Sequence, residues 1–156
     1  MTSWIRLAAP AALVSAIAPP AYAVQYLSIA QAQKQAFPSA TTFAQVDARS
    51  WKAQSGGTVL GLIVVDHVIG KHLYIDYTVA LDPGGRIKRV DILQYRESYG
   101  GEVRDASWLA QFVGKSSASA LKVNQDIRNI SGATLSSQHV TEGVKRVLAA
   151  YGNRAR

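Results

Sequence analysis

Residues 73–97 leave the chain little choice of local structure. Leu73, Ile75, Tyr77, Val79 and Leu81 alternate with Tyr74, Asp76, Thr78 and Ala80, the period of two expected of a strand with one face on a core. Asp82-Pro83-Gly84-Gly85 follows. Proline fixes φ at the second turn position and glycine tolerates positive φ at the third, so Arg86 to Glu97 is predicted to return antiparallel as the second arm of a hairpin. Just upstream, Thr58 to Ile69 is rich in Val, Ile and Leu on both faces, which predicts a central strand.

The flanking segments are weaker signals. Ser28 to Phe37 is Ala/Gln-rich, opens on a capping serine and stops at Pro38, and so reads as a short helix. Ser39 to Asp47 reads as extended and Lys52 to Gly57 as a polar loop. Beyond the hairpin, Asp105 is placed to cap a small amphipathic helix carrying Trp108, Leu109, Phe112 and Val113 and ending at Gly114. A last helix is predicted from near Ser136 or Ser137, with Val140, Val144, Val147, Leu148 and Tyr151 as its buried stripe. The resulting fold class is α+β: one domain, an antiparallel sheet of about four or five strands packed with short helices on one side.

The address is written at the start. Arg6, an apolar run from Leu7 to Ala18 and the small-residue site Ala21-Tyr22-Ala23 predict a signal peptide, residues 1–23, cleaved after Ala23. The run is too short to span a bilayer and is interrupted by Pro10, Pro19 and Pro20. Residues 24–156 are then an exported, periplasmic domain. The formal charge of +7 raises the question of nucleic acid, but an exported address argues against that partner. With no cysteine there is no disulfide, no thiolate metal site and no thiol nucleophile. His67, His72 and His139 lack metal-binding spacing, so no metal site is expected.

The informative chemistry lies in Ile130-Ser-Gly-Ala-Thr-Leu-Ser-Ser137. Ser131, Gly132 and Ala133 are small residues that allow a backbone to approach a ligand, and the hydroxyls of Thr134, Ser136 and Ser137 gather at a helix N-terminus, with Leu135 among them. Free N–H groups and the helix dipole there favour a phosphate. The bland alternative is that Ser136 or Ser137 is an N-cap and Gly132 a tight turn. Ser136 with His139 lacks a third orienting group and does not make a nucleophile–base pair. Glu97 and Glu102 show no sign of being an acid/base pair.

Ser131-Gly-Ala-Thr134, followed by Leu-Ser-Ser, resembles the flavinylation motif of the FMN-binding domain family, which includes the flavin-carrying periplasmic subunits of sodium-pumping NADH:quinone reductases. The resemblance runs in order from Gly70 to Tyr151, through Tyr95-Arg-Glu-Ser-Tyr-Gly-Gly-Glu-Val103 and Trp108-Leu-Ala-Gln-Phe-Val-Gly114. It implies FMN esterified through its phosphate to Thr134 by a dedicated FMN transferase that uses FAD. It also implies that the loop bearing Glu97, Tyr99, Gly100 and Gly101 lies near the isoalloxazine ring. The protein would be an electron carrier with a membrane or exported redox partner. Ranked behind it are a non-covalent or degenerate FMN-binding module serving assembly or sensing, and then a stand-alone reductase.

One position departs from the family pattern. An aspartate usually stands six residues before the modified threonine, and here that place is taken by Arg128, with Asp126 two residues further upstream. Either Asp126 substitutes after a shift of the loop, or attachment is inefficient, or Arg128 itself partners the flavin phosphate.

Overall fold

The computed structural model describes residues 24–156; the predicted signal peptide, residues 1–23, and its predicted cleavage site lie outside the described residues. Strand β1 (Val24–Gln25) is followed by helix α1 (Ile29–Ala36), strands β2 (Thr42–Asp47), β3 (Ser50–Ser55), β4 (Thr58–Ile69), β5 (Tyr74–Leu81) and β6 (Ile87–Tyr95), then helices α2 (Ala106–Leu109) and α3 (Thr134–Tyr151). All neighbours in the sheet are antiparallel and the order is β1-β6-β5-β4-β3-β2. Five strands of full length form the body, and the two-residue β1 trims the β6 edge.

The hairpin forms as the alternation requires, with Val79 opposite Val90. Gly85 N–H donates to Asp82 O (2.9 Å) and Arg86 N–H to the Asp82 carboxylate (3.0 Å). The positive φ falls on Gly85 (+77°), one residue later than the turn pattern suggests, and a Cβ there would run into the Gly152 carbonyl beyond α3.

Two local expectations are corrected. Lys52 to Gly57 is not a loop: β3 continues to Ser55 and only Gly56-Gly57 turns. Lys52, Gln54 and Ser55 sit at partly exposed positions while Ala53 is fully buried, so within that stretch one small residue is all the apolar signal the strand emits. Val113 is 54% exposed, because the backbone leaves helical geometry there (φ −61°, ψ 133°). Trp108, Leu109 and Phe112 are buried as expected.

The helices occupy both faces of the sheet, not one. Leu62, Val64 and Val68 of β4 pack in the larger core with Val140, Val144, Val147, Leu148 and Tyr151 of α3. Ile63 and partly buried Val65 point the opposite way, into a smaller core with Ala32, Ala36 and Phe37 at α1. This accounts for the two-sided apolarity of β4. Helix α1 is fixed by a capping box, in which Gln31 N–H donates to Ser28 Oγ (3.2 Å) and Ser28 N–H to Gln31 Oε1 (2.8 Å). Its buried face carries small alanines, which is why the sequence understates it.

Candidate functional site

The loop before α3 is built by side chains that hold backbone. Asp126 accepts from Leu121 N–H (3.1 Å), Lys122 N–H (2.8 Å) and Lys115 Nζ (3.1 Å). Burial would raise its pKa, but these donors outweigh that and hold the carboxyl below its ordinary value. Asp126 is thus committed to its own turn and is not free to stand in for the motif aspartate. Arg128 is held at the other side of the loop: its N–H donates to Gln111 Oε1 (2.8 Å), its carbonyl accepts from Trp108 Nε1 (2.8 Å), and its guanidinium Nε lies 3.4 Å from the same Gln111 oxygen. Its side chain is directed to Gln111, just past α2, and does not line the cleft described below.

Ala133 N–H donates to Ile130 O (3.0 Å), closing a tight turn with Gly132 at φ +80°. Helix α3 then begins at Thr134, two residues before Ser136, with Ala133 as an N-cap that has no side-chain oxygen to offer. Ser136 and Ser137 are therefore not caps. Both are buried one turn inside the helix; Ser137 Oγ donates to Asn129 Oδ1 (2.8 Å) and lies 3.0 Å from the Thr134 carbonyl. The first intrahelical bond is Ser137 N–H to Ala133 O (3.0 Å), so the N–H groups of Thr134, Leu135 and Ser136 have no carbonyl within the helix. The Thr134 side chain is exposed beside them, and its Oγ1 accepts from Asn129 Nδ2 (3.1 Å).

Facing this terminus is the segment that follows β6. Glu97 accepts from the N–H groups of His72 and Leu73, the latter at 2.8 Å. Partial burial opposes ionisation, yet the backbone donors of His72, Leu73 and Lys71 prevail and keep the carboxyl below its usual range. Gly70 passes directly under it, since a Cβ there would lie 3.0 Å from Glu97 Oε1. Glu97 is therefore a clasp for the β4–β5 turn and not a free acid. Gly100, at φ +83°, packs against α3: a Cβ would sit 2.8 Å from Tyr95 Oη and 3.0 Å from Ala133 Cβ. Tyr95 is buried and donates its hydroxyl to the Tyr99 carbonyl; burial pushes that phenol up despite a bond with Ser136. The Tyr99 ring is 85% exposed.

Between these walls lies a cleft of about 510 Å³, within the range of about 300–1,000 Å³ usual for small-molecule sites. Lys71, His72, Glu97, Ser98 and Tyr99 line one side, and Gly132, Ala133, Thr134, Leu135 and Ser136 the other. Of the residues singled out in the sequence, Ser131, Gly100 and Gly101 stand beside the cleft without lining it, and Ser137 is buried beneath it. Lys71 and His72 line it without having been singled out as site residues, as does Ser98; Asn129, also not singled out, does not line it but bonds to Thr134. The loop residues had no chemical signal of their own, and Asn129 was legible only as an amide five residues before Thr134.

His139 makes no dyad with Ser136 and is not a free surface histidine. Its Nδ1 lies 2.7 Å from Ile69 O and 2.8 Å from Gly70 O; facing two acceptors, that nitrogen carries the proton. It ties α3 to the end of β4. Among the described residues no three acids or histidines gather as a metal site, and no helix is long and apolar enough to cross a membrane.

The family model described as "FMN-binding domain" matches residues 70–149, a span that holds both walls of the cleft. Among solved structures, NqrC of Shewanella oneidensis aligns with a TM-score of 0.51 and 17% identity over 84% of this chain and 76% of that one, which is a likeness of fold. No curated protein matches the chain.

Proposed function

Because the chain belongs to the FMN-binding domain family, we propose that it is an exported electron carrier whose FMN is joined through its phosphate to the hydroxyl of Thr134. The observation that carries this reading is the placement of Thr134: the exposed first residue of an 18-residue helix, lining the cleft between that helix and the Glu97–Tyr99 segment.

The residues present fit a flavin phosphate. Three backbone N–H groups of the first turn of α3 and the positive end of its dipole are available to an anion, a contribution of about 0.3–1 kcal/mol from the dipole alone. Lys71 and His72 add donors on the opposite wall. The Tyr99 ring and Leu135, both exposed at the cleft, offer apolar surface to a flat ring system. When bound, FMN supplies one- and two-electron redox chemistry. The chain's own part is to hold it: α3 presents Thr134, Gly100 brings the Tyr99–Gly100 backbone close, and Glu97 fixes the turn that bears Lys71 and His72.

Attachment needs a maturation partner, an FMN transferase using FAD, and electron transfer needs a membrane or exported redox partner, with the periplasm as compartment. Covalent tethering suits an exported carrier, since it keeps the cofactor at high effective concentration in a compartment that does not make it. The test is co-expression with an FMN transferase followed by intact mass and denaturing electrophoresis. The expected result is a mature chain beginning at Val24 that retains flavin fluorescence on the gel, with the adduct absent in Thr134→Val. Flavin that is present in the native protein and lost on denaturation would instead favour the non-covalent module.

A further inference from the structure

We infer that Asn129 is a positioning residue for flavin attachment, holding the Thr134 hydroxyl in the orientation from which it reacts; this rests on the reading of Thr134 as the attachment site. A threonine at the start of a helix ordinarily spends its oxygen as an N-cap, accepting from the helix's own amides. Here the cap position is Ala133, and Thr134 stands one residue inside. Its oxygen is engaged from outside the helix, by Asn129 Nδ2 at 3.1 Å. The amide is in turn fixed at its other end, because the hydroxyl of fully buried Ser137 donates to Asn129 Oδ1 at 2.8 Å. The rotamer of an exposed threonine is thereby referred to a buried serine one turn along the same helix.

The direction of these bonds decides the chemistry. An amide that donates to Thr134 Oγ1 uses one lone pair and leaves the hydroxyl hydrogen and the second lone pair free. In the transfer step Thr134 Oγ1 forms the bond to the flavin-side phosphorus of FAD, the phosphoanhydride bond breaks, and AMP leaves. The hydroxyl proton goes to a base of the transferase; among the described residues no carboxylate or imidazole hydrogen-bonds Thr134.

The experiment measures the initial rate of covalent labelling by a purified FMN transferase with FAD, across pH, with thermal unfolding of each variant alongside. Asn129 is exposed, so Asn129→Ala should fold and label roughly three- to tenfold more slowly, the worth of one hydrogen bond. Ser137→Ala should slow labelling in the same direction by less. Asn129→Asp turns the donor into an acceptor that takes the Thr134 O–H, so its rate should lie below wild type at neutral pH and recover relative to wild type as pH drops through the carboxylate range, about pH 5 to 4, where the protonated carboxyl can again donate to Thr134 Oγ1; a merely structural role would not give that recovery. Wild-type rates in Asn129→Ala, or slowing that only follows lost folded protein, overturn the positioning role while Thr134 stands. A wild type that takes no label overturns the attachment reading and this inference together.

Discussion

Gly143 of α3 lies against the hydroxyl of Tyr77 on β5 so closely that a Cβ at Gly143 would run into that oxygen and approach Val68 Cγ1 to 2.7 Å. The missing side chain lets the helix settle onto the sheet. By propensity alone Gly143→Ala would stabilise a helix by about 0.5–1 kcal/mol. Overpacking of about 1–3 kcal/mol opposes it, so the variant is expected to be less stable in denaturant unfolding. Adding Tyr77→Phe, which removes the obstructing oxygen, should recover part of the loss, a favourable coupling between two residues in contact.

The same tyrosine donates to Asp66 Oδ2 (2.9 Å), and Asp66 also accepts from Arg49 (2.8 Å) and Arg146 (2.6 Å). Asp66 is 4% exposed. Burial would raise its pKa, but Arg146, Tyr77 and the His67 backbone more than offset this and the pKa is lowered, while the Tyr77 phenol is pushed up by burial and by the Asp66 charge. A carboxyl depressed in the folded state contributes stability above its unfolded value, about 3.9, and that contribution is lost as pH falls through the folded pKa. Asp66→Asn should lower stability at neutral pH by about 1–3 kcal/mol and flatten the acid limb of a stability–pH profile. An unchanged limb would show that this network does not set acid sensitivity.

Adjacent glycines beside the cleft should behave differently. Gly100→Ala requires positive φ of a residue with a Cβ, at a cost of about 1–2 kcal/mol, and drives that Cβ into Tyr95 and Ala133. It is expected to lose stability and flavin labelling together. Gly101 has open space around its Cβ position, and Gly101→Ala should stay within about 0.5 kcal/mol of wild type and label normally. Denaturant unfolding and gel fluorescence measure both.

Arg128 occupies the place of the motif aspartate, but its backbone and guanidinium are turned to Gln111. Arg128→Ala should therefore keep wild-type flavin content after co-expression with the transferase. Loss of flavin in that variant would establish the guanidinium as a partner of the phosphate.

The hairpin, the buried stripe of α3 and the Thr134 motif were legible because each is written in strong alternation, helical spacing or a short run of small residues. Strand β3 was not, since Ala53 is its one fully buried apolar residue; nor was the second face of the sheet, since alanines on α1 carry little hydrophobic weight. Thr134 proved to be the first helical residue because Ile130 to Ala133 closes a turn before it, a relation of backbone that the serines downstream obscured. Asn129 was invisible for another reason: its role is a bridge across a loop, and no spacing rule announces one.

The family-model match begins at Gly70, yet Ala80 and Leu93 within it are roofed by Ala32, Ala36 and Phe37, which precede it. Whoever transplants only the cofactor-bearing stretch into another scaffold would carry a bare, greasy flank along with it, and should expect clumping in place of a working graft. The segment from α1 to β4 that precedes Gly70 is the lining that makes the rest portable.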